Sequence, residues 1–150
     1  MCRVTISAHQ LLEMFPNEEA ARLHLEQKRW NGSPSCPKCQ AETKQYKQKR
    51  YGKAGYYLCG ACGKVYTVRT GTIFERSHVP LHKWLFAIFQ LVTACKGLSS
   101  VQLSKEIGVT QKTAWFMLQR IRKAHKDDNG TGGITNKGIV EAYECYLGGT

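Results

Sequence analysis

Two pairs of cysteines with the spacing C-x2-C constrain the fold of this chain more than any other feature. Nineteen residues separate the pairs, and the four residues are Cys36, Cys39, Cys59 and Cys62. Each pair can form a tight turn, so that all four sulfurs reach one tetrahedral ion at about 2.3 Å. The residues that favour these turns are Pro37, Gly60 and Gly63. The sequence therefore predicts a zinc ribbon that holds one structural Zn2+.

Two other interpretations of these cysteines are a redox C-x-x-C pair and four unrelated buried thiols. Both are disfavoured, because two such pairs occur at ribbon spacing without a thioredoxin-like βαβ pattern around them. Sulfur fills all four positions, so no open coordination site remains to activate water. We expect the metal to stabilise the fold rather than to catalyse. The remaining cysteines, which we expect to be free thiols, are Cys2, Cys95 and Cys145.

The formal net charge of +11 in 150 residues favours a polyanionic partner. Lysines and arginines that neutralise phosphates release condensed counterions, and this release favours binding. A Zn2+ ion with four thiolates removes only two positive charges, so the basic excess survives metal binding. Nucleic acid is the expected partner, although a charged surface that only maintains solubility has a similar composition.

Neither a targeting signal nor a membrane span is apparent in the sequence. The most apolar stretch, residues 84–95, is interrupted by Gln90 and Thr93 and is shorter than the roughly 20 residues that a membrane span requires. No apolar run follows Met1. The expectation is a protein of the reducing bacterial cytoplasm, associated with the nucleoid and without membrane contact.

The first half of the chain predicts two helices followed by a small β unit. Residues 5–30 form two short helices separated by Pro16, and Asn17 caps the second. The side chains expected to pack are Leu11, Leu12, Phe15, Leu23 and Trp30. Residues 31–75 are rich in glycine and proline, and short strands are expected near 55–58 and 64–69 in antiparallel hairpins.

The second half predicts three helices. The first of them begins at Pro80, has a wide apolar face and ends at Gly97. A capping box of Ser99 with Gln102, inside a staple of Leu98 with Leu103, predicts a helix over 99–107. After a turn at Gly108, Thr110 caps a third helix over 111–125. Two helices joined by so short a turn are typical of a helix-turn-helix unit.

In a helix-turn-helix unit the second helix enters the major groove of DNA by its N-terminal residues. The residues expected near base edges are Gln111, Lys112 and Thr113, with further contacts from Trp115 and Gln119. The residues expected to contact phosphates are Arg120, Arg122 and Lys123. The alternative is an ordinary helical hairpin whose charged face is solvated.

Basic residues and tyrosines are interleaved between the two cysteine pairs. The basic residues are Lys44, Lys47, Lys49, Arg50 and Lys53, and the tyrosines are Tyr46, Tyr51, Tyr56 and Tyr57. This composition suits phosphate contact and base stacking. A solvated hairpin face fits the same residues equally well.

The order of these parts resembles the N-terminal portion of bacterial insertion-sequence transposases that carry a zinc ribbon before a DDE catalytic domain. The resemblance covers nearly the whole chain. The segments that carry it are FPNEEA at 15–20, RW at 29–30, CP at 36–37 with Cys39, YTVRTGTIF at 66–74, KW at 83–84, KTAW at 112–115 and GIVE at 138–141.

The resemblance also implies an RNase H-like catalytic domain whose first strand carries the aspartate that first binds the catalytic metal. In this sequence Tyr143 stands at that position, and Cys145 stands where the family has threonine. Tyrosine is neutral at physiological pH and cannot supply the anionic oxygen that Mg2+ prefers. The two aspartates of the chain, Asp127 and Asp128, are adjacent in a predicted linker. We therefore expect no strand transfer by this chain and interpret it as a truncated or decayed transposase, or as a fragment of one.

The predicted architecture is a small α+β fold in four parts. Residues 1–76 form helices and the zinc ribbon, 77–126 the helix-turn-helix unit, 127–137 a flexible Gly-rich linker, and 138–150 the first strand of a truncated catalytic domain. The expected partner is double-stranded DNA, namely the terminal repeats of the element, and self-association into a homo-oligomer fits this interpretation. The alternatives are a free-standing transcription regulator and a protein-interaction module.

Overall fold

The chain forms two helices, then a small sheet, then three further helices. The computed structural model describes residues 6–42, 44–50, 53–94 and 97–127, with the backbone alone at 53 and 125–127. Within these ranges the elements are α1 (Ala8–Met14), α2 (Glu18–Trp30), β1 (Gln45–Arg50), β2 (Lys53–Cys59), β3 (Val65–Thr67), α3 (Leu81–Thr93), α4 (Ser100–Ile107) and α5 (Gln111–Asp127). The prediction of a small α+β fold is confirmed.

Helices α1 and α2 begin at side-chain caps. The Asn17 side chain accepts a hydrogen bond from the backbone N–H of Ala20 at 2.9 Å, which confirms the predicted cap. Helix α1 begins with a capping box of Ser7 and Gln10, which the sequence analysis did not identify. Helix α2 ends at Asn31, whose backbone is left-handed with φ 45°.

The predicted packing of these helices is wrong at two leucines. Leu12 and Leu23 were expected in the core, but they are 51% and 53% exposed. Ala21 and Leu25 are buried instead. Residues four apart share one helix face, whereas Leu23 lies about 200° around the helix from Ala21. The face of α2 that packs against the protein therefore excludes Leu23.

The three strands form an antiparallel sheet in the order β1-β2-β3. Tyr57 of β2 is paired with Tyr66 of β3, and their rings stack with centroids 5.6 Å apart. Trp30, at the end of α2, meets both rings edge-on at 5.1 and 5.8 Å. Strand β3 is shorter than the predicted 64–69, because the N–H of Thr70 turns back to the carbonyl of Thr67. Aromatic packing thus holds the sheet against α2.

Arginines hold the irregular segment 68–79 that connects the sheet to α3. The Arg29 guanidinium donates to the Val68 carbonyl at 2.7 Å. The Arg69 guanidinium donates to the carbonyls of Ser77 and Val79, at 2.7 and 3.0 Å, and forms an ion pair with Glu18. Carbonyls outside regular structure need such donors when water is excluded.

Helix α3 lies at the centre of the helical arrangement and contacts α1, α2, α4 and α5. Its buried residues are Leu81, Trp84, Ala87 and Ile88. The helix ends at Thr93 rather than near Gly97 as predicted, because Ala94 adopts an extended backbone with ψ 97°. Helices α1 and α2 contact α3 across the predicted domain boundary between residues 76 and 77. The domain boundary itself stays a prediction.

Helices α4 and α5 are joined by a three-residue turn. The Ser99 side chain accepts from the N–H of Gln102 at 3.1 Å, and the Thr110 hydroxyl accepts from the N–H of Thr113 at 3.3 Å, so both predicted caps are confirmed. Only the Ser99 half of the predicted capping box is present at α4. The Gln102 side-chain amide donates to Glu106 at 3.0 Å. Leu98 and Leu103 of the predicted staple are both buried.

Helix α5 extends to Asp127, two residues beyond its predicted end and one residue into the predicted linker. The other residues of the linker and the strand predicted within 138–150 lie outside the described residues, as do Cys2, Tyr51, Cys95, Tyr143 and Cys145.

The turn between α4 and α5 yields a testable prediction at Gly108. This residue has φ 63° and closes α4, with the N–H of Val109 bonded to the Ser104 carbonyl at 3.1 Å. An added Cβ would meet only the Lys83 ammonium at 3.9 Å, so the cost of a side chain is conformational. We expect Gly108→Ala to lower the free energy of unfolding by about 1 kcal/mol.

Gly108→Asn is the matched control, because asparagine adopts the left-handed conformation more readily than alanine. We expect it to cost clearly less than Gly108→Ala in urea unfolding of the zinc-loaded protein. Equal losses for the two variants would contradict a conformational origin.

Candidate metal centre and nucleic-acid interface

The four predicted ligands converge on one point. Their Sγ atoms all lie within 4.8 Å of one another, and none of the four cysteines forms a disulfide. The sulfurs of Cys36 and Cys62 are 3.7 Å apart, and those of Cys39 and Cys59 are 3.5 Å apart. A regular tetrahedron with metal–sulfur bonds of about 2.3 Å has sulfurs about 3.8 Å apart. The cluster therefore has the size that one zinc ion needs, which supports the predicted cofactor.

The two cysteine pairs sit in turns of the same design. In one turn the N–H of Gln40 bonds to the Cys36 carbonyl at 2.8 Å, and in the other the N–H of Gly63 bonds to the Cys59 carbonyl at 2.9 Å. Gln40 and Gly63 each follow the second cysteine of their pair, with φ of 56° and 65°. Glycine suits this conformation, whereas Gln40 adopts it at some cost. The equivalent geometry aims both pairs of sulfurs at a shared site.

Gly60 lies in the turn of the second cysteine pair and lets its backbone approach the backbone just before β1. Its N–H bonds to the Lys44 carbonyl at 2.8 Å. A Cβ at this position would lie 2.9 Å from that same carbonyl oxygen, too close for any side chain. The predicted role of Gly60 in the turn is thus explained by this backbone contact.

Backbone amides donate hydrogen bonds to sulfurs of the cluster and favour their thiolate forms. The amides of Cys62 and Ala61 donate to the Cys59 sulfur and lower the pKa of Cys59 to about 6, in spite of its burial. The amide of Ala41 acts in the same direction on Cys39, but the adjoining thiols and burial raise the pKa of Cys39 to about 12. Without metal the cluster therefore retains protons, which a zinc ion displaces on binding.

Gln45, which the sequence analysis missed, supports the cluster from β1. Its amide nitrogen lies 3.8 Å from the Cys59 sulfur and donates to the Ala41 carbonyl at 2.7 Å. Its amide oxygen accepts from the Tyr66 hydroxyl at 2.9 Å. The residue thus connects one ligand to the aromatic packing of the sheet. Only its position six residues after Cys39 marks it in the sequence, and this signal is weak.

Four of the basic residues predicted on the hairpin are exposed, namely Lys44, Lys47, Lys49 and Arg50. Lys47, Lys49 and Arg50 lie on β1, which is an edge strand of the sheet, and Tyr46 beside them is also exposed. The predicted stacking role of Tyr57 is wrong, because the ring is buried and its hydroxyl donates to Glu26 at 3.1 Å. Burial and the Glu26 carboxylate raise the pKa of Tyr57 to about 12. A stacking surface on this hairpin would therefore rely on tyrosines other than Tyr57.

Helix α5 separates a buried stripe from an exposed polar face. The buried residues are Ala114, Met117, Leu118 and Ile121. The exposed predicted contact residues are Gln111, Lys112, Trp115, Gln119, Arg120, Arg122 and Lys123. Thr113 is half-buried, and its hydroxyl lies 2.9 Å from that of Thr110. Seven of the eight predicted positions on this helix are thus exposed to solvent.

Two of the arginines on α5 also make contacts within the chain. The Arg120 guanidinium donates to the carbonyls of Ile73 and Glu75 at 3.1 and 2.8 Å. The Arg122 guanidinium lies 3.4 Å from the Leu98 carbonyl. Arg120 therefore fastens α5 to the segment that follows the sheet, a role that the sequence analysis missed. The predicted phosphate contacts of both residues stay predictions.

Comparison with known proteins shows that the ribbon is similar to a transposase domain. Residues 16–65 match the family model described as the transposase zinc-ribbon domain. Over 116 residues the chain is 35% identical to an uncharacterized protein in transposable element ISH50 of the archaeon Halobacterium salinarum. The alignment covers 75% of the chain and 37% of that relative, so the chain spans little more than a third of the relative's length. No solved structure matches the chain.

Residues 16–65 are thus similar to transposase zinc-ribbon domains, and the chain has a relative in a mobile element. The bacterial source and the DDE catalytic type, which the sequence analysis inferred from the resemblance, stay predictions. In the described ranges no helix has both the length and the apolar character needed to cross a bilayer.

The metal centre predicts the behaviour of a ligand variant. We expect Cys59→Ser to reduce zinc from one ion per chain to less than half of that, because an incomplete sulfur set cannot supply the several kcal/mol that zinc binding contributes to folding. Elemental analysis measures the metal, and amide hydrogen exchange should show lost protection in β1–β3. Cys2→Ser is the control and should retain one zinc. Full zinc content in Cys59→Ser would contradict the assigned ligand set.

Proposed function

We propose that this chain binds the terminal DNA of a mobile element through a helix-turn-helix unit made of α4 and α5, held in place by the zinc ribbon. The observation that carries the proposal is the charge of the outer face of α5. Over residues 111–124 the helix has four basic residues and no carboxylate, namely Lys112, Arg120, Arg122 and Lys123. Such a face, opposite a fully buried stripe, suits a polyanion.

The geometry around α5 supports its use as a recognition helix. Ala114 and Leu118 are buried, as are Leu103 and Ile107 of α4, so α5 is anchored along one side. The turn at Gly108 is short, and the first turn of α5 carries Gln111 and Lys112 in solvent. Residues at the N-terminal end of a recognition helix contact base edges in the major groove. We therefore assign base contacts to these two side chains.

The phosphate contacts come from two parts of the chain. Arg122 and Lys123 extend from α5, and Lys47, Lys49 and Arg50 extend from the edge strand of the ribbon. Phosphate contacts position a protein on the duplex without reading its sequence. They also make binding depend on salt, since each contact releases counterions. Arg120 contributes through its hold on the segment after the sheet.

The transposition-related role rests on the comparisons, and the absence of strand transfer rests on sequence. Tyr143 stands where the resembled family has its first metal-binding aspartate. A tyrosine there cannot complete a two-metal site of Mg2+. We propose that the chain binds element ends in the cytoplasm, at the nucleoid, without cutting or joining them. Cleavage of terminal-repeat DNA by the purified chain with Mg2+ would overturn this part.

Substitutions on α5 test the proposal by separating base contact from phosphate contact. The bound sequence is first selected from a random pool with the zinc-loaded chain. We expect Lys112→Ala to relax the preference for the selected site over its point variants by about tenfold, since a good base contact discriminates by about 1–3 kcal/mol. Arg122→Ala should instead weaken binding to all duplexes alike. Equal behaviour of the two variants would contradict the assignment.

Salt dependence provides the matched measurement. With about five phosphate contacts, affinity should fall about 500-fold between about 50 and 200 mM salt. In Arg122→Ala the slope of log affinity against log salt concentration should decrease by about one. Binding that ignores salt would favour a protein-interaction module. A selected site that occurs in promoters instead of element ends would favour a transcription regulator.

A further inference from the structure

An aromatic pair lies in solvent on the outer face of α5. Trp115 is 47% exposed and Phe116 is 50% exposed. Their rings meet edge-on, with centroids 5.3 Å apart and an interplanar angle of 75°. The core residues of α5 lie elsewhere on the helix, so neither ring is needed to fill the interior. Two large apolar rings exposed side by side, rather than one exposed residue alone, indicate a site of contact.

Phe116 occupies the middle of the polar face. It lies four residues after Lys112, three before Gln119 and seven before Lys123, and these spacings place all four side chains along one line of the helix. At about 100° per residue, this line runs opposite the buried stripe of Ala114, Met117, Leu118 and Ile121. Phe116 therefore projects to the same partner that Lys112 and Gln119 would meet.

The charge around the pair identifies the occupant. Basic residues surround Phe116 along the helix, and no carboxylate occurs over residues 111–124. A second copy of the same face would bring like charges together, which is unfavourable. A polyanion that also offers an apolar group is complementary to both features. The thymine C5-methyl is the apolar group that base edges present in the major groove of DNA.

We propose that Phe116 reads thymine by contacting its C5-methyl group in the major groove, with Trp115 holding the Phe116 ring in place. This inference rests on the proposed function of α5. It adds a specificity-determining residue that is neither charged nor able to form hydrogen bonds. It also states what the bound site contains, namely a thymine within reach of the middle of the helix.

Replacement of thymine by deoxyuridine tests the contact, because it removes the methyl group and leaves the base pair intact. The zinc-loaded full chain first selects its site from random duplexes, and each thymine of that site is then replaced in turn. We expect one or two replacements to weaken binding by about three- to tenfold, the effect of losing one buried methyl group. Phe116→Ala should bind the thymine and deoxyuridine duplexes equally.

Leu23→Ala is the control, since Leu23 is an equally exposed apolar residue on α2. It should retain the full preference for thymine, and Phe116→Leu should retain part of it.

A wild-type chain that binds both duplexes equally, or a selected site without thymine, would overturn the inference while leaving the proposed function intact. Failure to bind any duplex specifically would overturn both. Dissociation of an oligomer by Phe116→Ala would place the ring in self-association and overturn the inference.

Discussion

Four thiol sulfurs within 4.8 Å of one another are the constraint on which the ribbon depends. Charged thiolates at such distances repel, and protonated thiols offer only weak hydrogen bonds. A divalent cation resolves this conflict and also fixes the two turns that carry the ligands. One of those turns precedes β1 and the other joins β2 to β3, so both lie at the ends of paired strands. The stacked rings of Tyr57 and Tyr66 then form the surface on which Trp30 packs.

The ribbon is linked to the helices by hydrogen bonds of arginine to backbone carbonyls as well as by apolar contacts. Arg29 of α2, Arg120 of α5 and Arg69, which lies within the segment 68–79 itself, all donate to carbonyls of that segment. The planar guanidinium can serve two carbonyls at once, which a lysine ammonium does less well. Helix α3 adds the apolar part of the link, since it contacts the helices that precede the sheet and those that follow it.

Local features of this fold could be predicted from sequence, and distant ones could not. The caps at Asn17, Ser99 and Thr110 depend on residues three positions apart, and the cysteine spacing defines the metal site by itself. The hydroxyl of the buried Tyr57 donates to Glu26, 31 residues away, and the bonds of Arg120 reach 45 and 47 residues back. From composition, Tyr57 and Arg120 were expected to be exposed and free to contact DNA. Composition carries no information about partners so far away in the sequence.

In the complex proposed above, the hold of Arg120 on the carbonyls of Ile73 and Glu75 would bear on the length of duplex that the chain spans. A flexible joint would let the β1–β2 hairpin and α5 meet phosphates at varying separations. Here two hydrogen bonds tie α5 to the segment that leads out of the sheet. Insertion of a single base pair between the regions of duplex that face the hairpin and α5 would then displace one of them from its phosphates.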